Sequence, residues 1–456
     1  MSDTKRSFLR SSERDMTSGS IAAHLLLFSL PLLIGNVFQQ LYNTVDSIIV
    51  GNYVGKEALA AIGGSTPIVN TFIMFFSGLC SGAGVVISNY YGAKNEEKLR
   101  RSVQTTFVLM LGLSAVLTVL GVALTGPMLK LMKTPPDVFD QAATYLRIYF
   151  GGLSGLLLYN TGAGILRAVG DSRRPLYILI FCTVTNTVLD YVFVKPLGWG
   201  IAGAAYATIL SQFASAVLVI LLLLRSKASY RLDLHDLRMS TGVLRSITTI
   251  GMPTALQSAI TAFANVFVLS YINAFGSSHM AGWAAYIKID SFAIQPGMSL
   301  SIAITTFVGQ NLGASREDRV RLMPRYGLIM AGILLSLTIT PIILYAPQLV
   351  ALFNQDEEVI RLGTYFIRTI SPLYAAFGIN QVYRGILVGR GDTLVSMGIM
   401  LFSFVLFRQV YLLAVSHLGF GLRAISYGYP AGWIMCAALF LVYYYARGRH
   451  VNRMKT

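Results

Sequence analysis

The chain alternates long apolar runs with short polar breaks. Twelve runs stand out, centred on residues 21–50, 58–90, 102–126, 139–166, 175–194, 199–224, 246–274, 280–311, 323–346, 359–388, 394–416 and 420–446. Each supplies the roughly 20 apolar residues that a helix needs to cross a bilayer. Several are longer, which predicts tilted helices or helices that reach past the membrane. The pattern predicts an all-α polytopic membrane protein with twelve transmembrane helices.

The second six runs repeat the first six. Gly164-Ile165-Leu166 and Gly170-Asp171-Ser172 recur as Gly385-Ile386-Leu387 and Gly391-Asp392-Thr393, an offset of 221 residues. At the same offset Gly92-Ala93 recurs as Gly313-Ala314, Arg147 as Arg368, and Tyr206 as Tyr427. Such a repeat in an apolar chain is the signature of a transporter built from two related bundles. Six spans return the chain to its starting side, so the bundles are expected to share one orientation about a pseudo-twofold axis along the membrane normal. The expected division is a cytoplasmic tail 1–20, a six-helix lobe 21–224, a linker 225–245, a second lobe 246–446 and a cytoplasmic tail 447–456. The linker segment Arg231-Leu232-Asp233-Leu234-His235-Asp236 reads either as a short surface helix or as a plain tether.

Charge fixes the orientation. Only 12% of the 456 residues are charged and the net charge is +16. The excess sits on one side: the linker alone holds Arg225, Lys227, Arg231, Arg238 and Arg245, whereas the loops after spans one and five hold Lys56 and Lys195. This positive-inside asymmetry places both termini in the cytoplasm of a multi-pass plasma-membrane protein and makes nucleic acid an unnecessary partner. Cys80, Cys182 and Cys436 fall within spans and suggest neither disulfides nor a metal site. No cleaved signal peptide is read; the first span serves as the targeting signal.

The loops after spans two and eight, Gly92-Ala93-Lys94 and Gly313-Ala314-Ser315, read as helix ends with left-handed glycine caps, followed by acidic residues suited to the next helix. Gly170-Asp171-Ser172 and Gly391-Asp392-Thr393 read as a turn and a cap. These are structural readings, and no catalytic residue is assigned.

Charges inside spans are the candidates for chemistry, because each costs at least about 2.5–3.5 kcal/mol at mid-membrane. Asp46, Asp190, Lys288, Asp290 and Arg408 are the clearest. Asp46 shares a helical face with Asn36, Gln40 and Asn43. That face should line a water-filled cavity or meet polar partners, and Pro31 lets the helix bend. Asp190 shares a face with Asn186, while Asn160 in span four and Thr208 in span six can add oxygens. Two desolvated carboxylates with neutral oxygens suit Na⁺ or a proton, since burial and mutual repulsion favour neutralisation. At the repeat offset Asp46 faces Phe267 and Asp190 faces Tyr411, so scaffold symmetry does not explain the acids. Gln40, Asn43, Gln257, Lys288 and Asp290 are candidates for a substrate cavity; Lys288 and Asp290, two apart, do not share a face. Arg408 reads as an anchor of an interhelical contact. No nucleotide-binding loop of the Walker type occurs.

These residues resemble a known family. Pro31 and the stretch Asn43-Thr44-Val45-Asp46 through Gly51, Gly55 and Ala61 resemble the first span and turn of the multidrug and toxic compound extrusion (MATE) transporters. Val308-Gly309-Gln310-Asn311-Leu312-Gly313-Ala314 resembles the motif after span eight, and Arg167 to Ser172 with Gly389 to Thr393 its paired loop motif. The resemblance implies a two-lobed bundle that opens alternately to each side and exports drugs or metabolites against inward H⁺ or Na⁺; a monomer is expected. The expected substrates are small organic compounds, organic cations being candidates; membrane lipids surround the protein, and no cofactor is implied beyond the coupling ion. It further implies an N-lobe cation site, whose places Asp46, Asn160, Asn186, Asp190 and Thr208 fit. A carboxylate site in spans seven and ten is not supported by Gln257, Ser258, Asn265, Asn380 and Gln381. The alternatives are a lipid-linked precursor flippase of the same superfamily and, in a different class, an ion channel.

Overall fold

The computed structural model describes residues 13–132 and 134–453, and it is helical throughout; no strand occurs among the described residues. Among the described residues ten helical runs are long and apolar enough to cross a membrane, one of which turns at Ile294 between Ser277–Ala293 and Gln295–Gly313. The other two spans are broken, and at matching places in the repeat. Span four is Pro136–Gly151 followed by Leu153–Ala168, and span ten is Glu357–Ile370, a 3₁₀ turn Ser371–Leu373 and Tyr374–Arg390. The sequence explains both breaks. Gly151 and Gly152 lower helical preference in the first; Pro372, at the equivalent position, removes a backbone donor in the second.

The chain forms two compact units, residues 13–16 with 34–255, and 17–33 with 256–453 among the described residues. The dividing points lie inside helices Ile21–Tyr53 and Thr241–Asn273 rather than in the 225–245 connection. They fall at equivalent places in the repeat, each within three residues of a helix-interior proline, Pro31 or Pro253.

In the first unit, the second span Lys56–Gly92 crosses the start of the seventh with almost no side-chain spacing. A Cβ on Gly82 would lie 2.5 Å from the Gly251 Cα, and Gly78 meets the Ala255 backbone as closely. Small residues four apart permit such contacts between membrane helices. The linker is neither helix nor loose tether: Tyr230 and Leu232 are fully buried, and Arg100 pairs with Asp233 at 2.9 Å. Gly170 takes φ 86° and lies against the Arg14 backbone, a position that suits no residue with a Cβ. In the second unit, Arg319 donates to the carbonyl of Gly19 at 2.8 Å and to the Asn311 side chain at 2.9 Å, tying down the segment that leads into the first span.

The turns follow the expectation in part. Gly170 and Gly391 are left-handed, and Asp171 Oδ1 accepts from the Arg173 and Arg174 amides at 3.1 Å. After spans two and eight, however, the left-handed residues are Lys94 and Ser315, not the glycines. Each helix runs on through its glycine, and the chain reverses two residues later, where Asn95 caps the next helix by accepting from the Lys98 amide. Large side chains such as Val119 and Leu337 remain more than 60% exposed, which fits a bilayer surround and not water.

Candidate functional site

The first unit gathers most of its predicted polar residues into one buried cluster. Asp46 comes from span one, Asn186 and Asp190 from Arg173–Val194, and Thr208 from Gly200–Leu224. Their exposures are 7%, 1%, 0% and 5%, so water does not solvate them. Asp46 and Asp190 are electrostatic neighbours, and Asn186 stands beside Asp190. Both oxygens of Asp190, Oδ1 of Asp46 and both polar atoms of Asn186 lack a hydrogen-bond partner among the described residues. Such orphaned buried groups are rare and costly. No buried cation offsets the two carboxylates in the ion pairs of the described residues.

Three tyrosines complete the cluster and were not foreseen from the sequence. Tyr42 donates to Thr208 Oγ1 at 3.2 Å, joining spans one and six. Tyr145 and Tyr149, ring centroids 5.9 Å apart, lie within the electrostatic reach of Asp46. Tyr42 could have been found, since it precedes Asp46 by one helical turn. Tyr145 and Tyr149 also sit one turn apart, but only the break after Gly151 explains how the first half of span four is presented.

The structure redistributes other candidates. Asp46 and Tyr42 are buried, whereas Gln40 is half-buried and Asn43 exposed, so the inward side of span one is narrower than the spacing predicted. Pro31 lies within that helix, on the stretch that belongs to the second unit. The Asn160 amide turns back to the Leu156 carbonyl at 2.9 Å, its one hydrogen bond among the described residues. In the second unit Gln257 is buried, Lys288 is exposed, and Asp290 is half-buried and accepts from Tyr286 at 3.2 Å. Lys288 and Asp290 thus diverge, as their spacing requires. Arg408 does make an interhelical contact: its guanidinium lies 5.1 Å from the Tyr429 ring centroid.

Comparison with known proteins decides the family. The MatE family model matches residues 31–192 and again 253–411, once in each half. The chain belongs to the MatE family. Two proteins of Bacillus subtilis (strain 168) are similar over nearly their full length. The probable multidrug resistance protein YoeA is 30% identical over 433 residues, spanning 93% of this chain and 94% of the relative. The probable multidrug resistance protein YpnP is 31% identical over 435 residues, spanning 95% and 97%. A crystal structure of a MATE protein in complex with MaL6 superposes with a TM-score of 0.90 at 25% identity, covering 97% of this chain and 99% of that one. This MatE protein is accordingly a multi-pass membrane transporter of the multidrug-resistance class, with the two-lobed, twelve-span fold.

Proposed function

We propose that this MatE protein exports small organic compounds from the cytoplasm across the plasma membrane in exchange for H⁺ or Na⁺. Both termini then lie in the cytoplasm, and the transport path opens to one side at a time. The observation that carries the reading is the buried pair Asp46 and Asp190, orphaned of hydrogen bonds and set among neutral oxygens. Two carboxylates that share a dry site repel; one proton or one Na⁺ relieves that repulsion. Carboxylate, amide and hydroxyl oxygens from Asp46, Asp190, Asn186 and Thr208 are hard ligands of the kind an alkali cation takes. Ion binding drives transport only if the outward- and inward-open states hold the ion unequally. The Tyr42–Thr208 bond joins spans one and six at the site, so filling it draws on span one, and Pro31 gives that helix a point at which to bend. A membrane potential adds about 2.3 kcal/mol per charge per 100 mV.

The test is reconstitution into liposomes with ethidium or tetraphenylphosphonium as probe, imposing a pH gradient and a Na⁺ gradient separately. Uphill accumulation under one of them is expected. Downhill equilibration of the probe under both, with no concentration step, would overturn the antiport reading.

A further inference from the structure

The second unit carries a buried cation on span eleven, the repeat counterpart of the span that holds Asn186 and Asp190 in the first. Arg408 stands at the repeat position of Thr187, beside Asn186, and Tyr429 at the position of Thr208. Arg408 is only 2% exposed. Its Nε and Nη2 have no hydrogen-bond partner among the described residues, and no ion pair there joins it to Asp290. Those two N–H groups form the side-on edge of a guanidinium, the fork that matches two oxygens of a carboxylate or phosphate. Arg316 shows the same edge filled: its Nε and Nη2 each donate to an Asp318 oxygen at 2.9 Å.

Backbone geometry supports the assignment independently. Span eleven contains a π-helical segment, Phe402–Phe407, that ends at Arg408. The equivalent span five, Arg173–Val194, is an unbroken α-helix. π segments inside α-helices concentrate at functional sites, because the wider turn re-aims the side chains that follow. An aromatic wall adjoins the fork: Tyr429 stacks on Trp283 with centroids 5.7 Å apart and lies 6.3 Å from Trp433. A buried arginine lacking a partner is strongly unfavourable, and among the described residues the Tyr429 ring is the contact given for its guanidinium, which leaves the Nε and Nη2 donors unfilled.

We propose that Arg408, with Tyr429, forms an oxyanion-binding site in the second unit that takes the carboxylate or phosphate group of an aromatic compound. The two halves of the repeat then hold sites of opposite polarity, one for the coupling cation and one for an anionic group. Asp290, which accepts from Tyr286 and lies within electrostatic reach of Tyr429, disfavours a second negative charge there and orients the ligand with its anionic end toward Arg408.

The experiment uses the full-length protein in detergent, with Trp283 and Trp433 fluorescence as reporters and phenyl phosphate, benzoate and neutral phenol as probes. Wild type should show saturable quenching by phenyl phosphate or benzoate and none by phenol. Arg408→Gln should weaken that binding at least tenfold, about 1.4 kcal/mol, and Arg408→Lys, which keeps the charge but not the fork, should weaken it less. If Arg408→Gln does not fold, Arg408→Lys supplies the comparison. The source of the oxyanion is read in nanodiscs: competition by phosphatidylglycerol over phosphatidylcholine assigns the site to a lipid headgroup, and its absence to a soluble compound. No saturable anion binding by wild type, or equal affinity in folded Arg408 variants, overturns the proposal. The assay reads binding and not pumping, so its result is separate from that of the gradient experiment.

Discussion

Where the first unit carries Tyr42, Asp46, Tyr145, Asn186, Asp190 and Thr208, the second carries Phe263, Phe267, Phe366, Phe407, Tyr411 and Tyr429. The helices at these positions match in order, and spans four and ten match in the place where they break. The side chains do not. One half presents carboxylates and hydroxyls, the other an aromatic set in which Phe263 and Phe267 pack edge to face at 5.4 Å. A repeated scaffold therefore fixes where a site can form, and divergence between the copies fixes what it binds. The residues shared by both halves, such as Gly170 and Gly391, serve turns, and Asp171 also accepts from the amides of the helix that follows.

The strongest way to break this contrast is to neutralise the acids. Asp46→Asn or Asp190→Asn should leave a folded, membrane-inserted protein whose gradient-driven efflux falls to the leak of protein-free liposomes. A next test addresses the close helix crossing in the first unit. Gly82→Ala places a Cβ 2.5 Å from the Gly251 Cα and should destabilise by about 1–3 kcal/mol, read as a lower thermal midpoint. Its counterpart in the second unit is already Ala303. Gly112→Ala, where nothing lies within 4 Å, should instead raise the midpoint, by up to about 1 kcal/mol.

Tyr42→Phe makes the first unit match Phe263 of the second. Loss of the bond to Thr208 should cost about 0.5–1.5 kcal/mol, seen as a several-fold rise in the ion concentration that half-saturates transport, with maximal rate retained. The smallest effect concerns the linker. The His235 amide and the nearby Arg100 hold the Asp233 carboxyl below the usual carboxylate range. The stabilisation is present above that ordinary range and is lost as pH falls through the lowered value. Limited proteolysis at Arg231 should increase slightly in Asp233→Asn, at acid pH and at high salt.

Much of the architecture was legible in the sequence. Apolar runs gave the spans, and the 221-residue offset gave two copies. The breaks in spans four and ten were not, because Gly151-Gly152 and Ser371-Pro372 are also tolerated inside membrane helices. The exchange of the first parts of spans one and seven was hidden for a similar reason: membership depends on packing, which local pattern does not encode. Within the site, Asp46, Asn186, Asp190 and Thr208 were readable because a polar residue in an apolar run is conspicuous. Tyrosines are not conspicuous there, since their rings suit membrane helices with or without a role. Asn160 shows what pattern does not encode: its amide nitrogen bonds back to its own helix at the Leu156 carbonyl.

Cation binding itself tests the central claim most directly. Purified wild type, Asp46→Asn and Asp190→Asn would be compared for saturable uptake of radioactive sodium by equilibrium dialysis, and for proton uptake near neutral pH by potentiometry. Wild type should bind one of the two ions saturably, and each variant should lose that binding while keeping its fold. Wild-type ion binding by both variants would contradict the account and place the coupling site outside the first unit's buried acids.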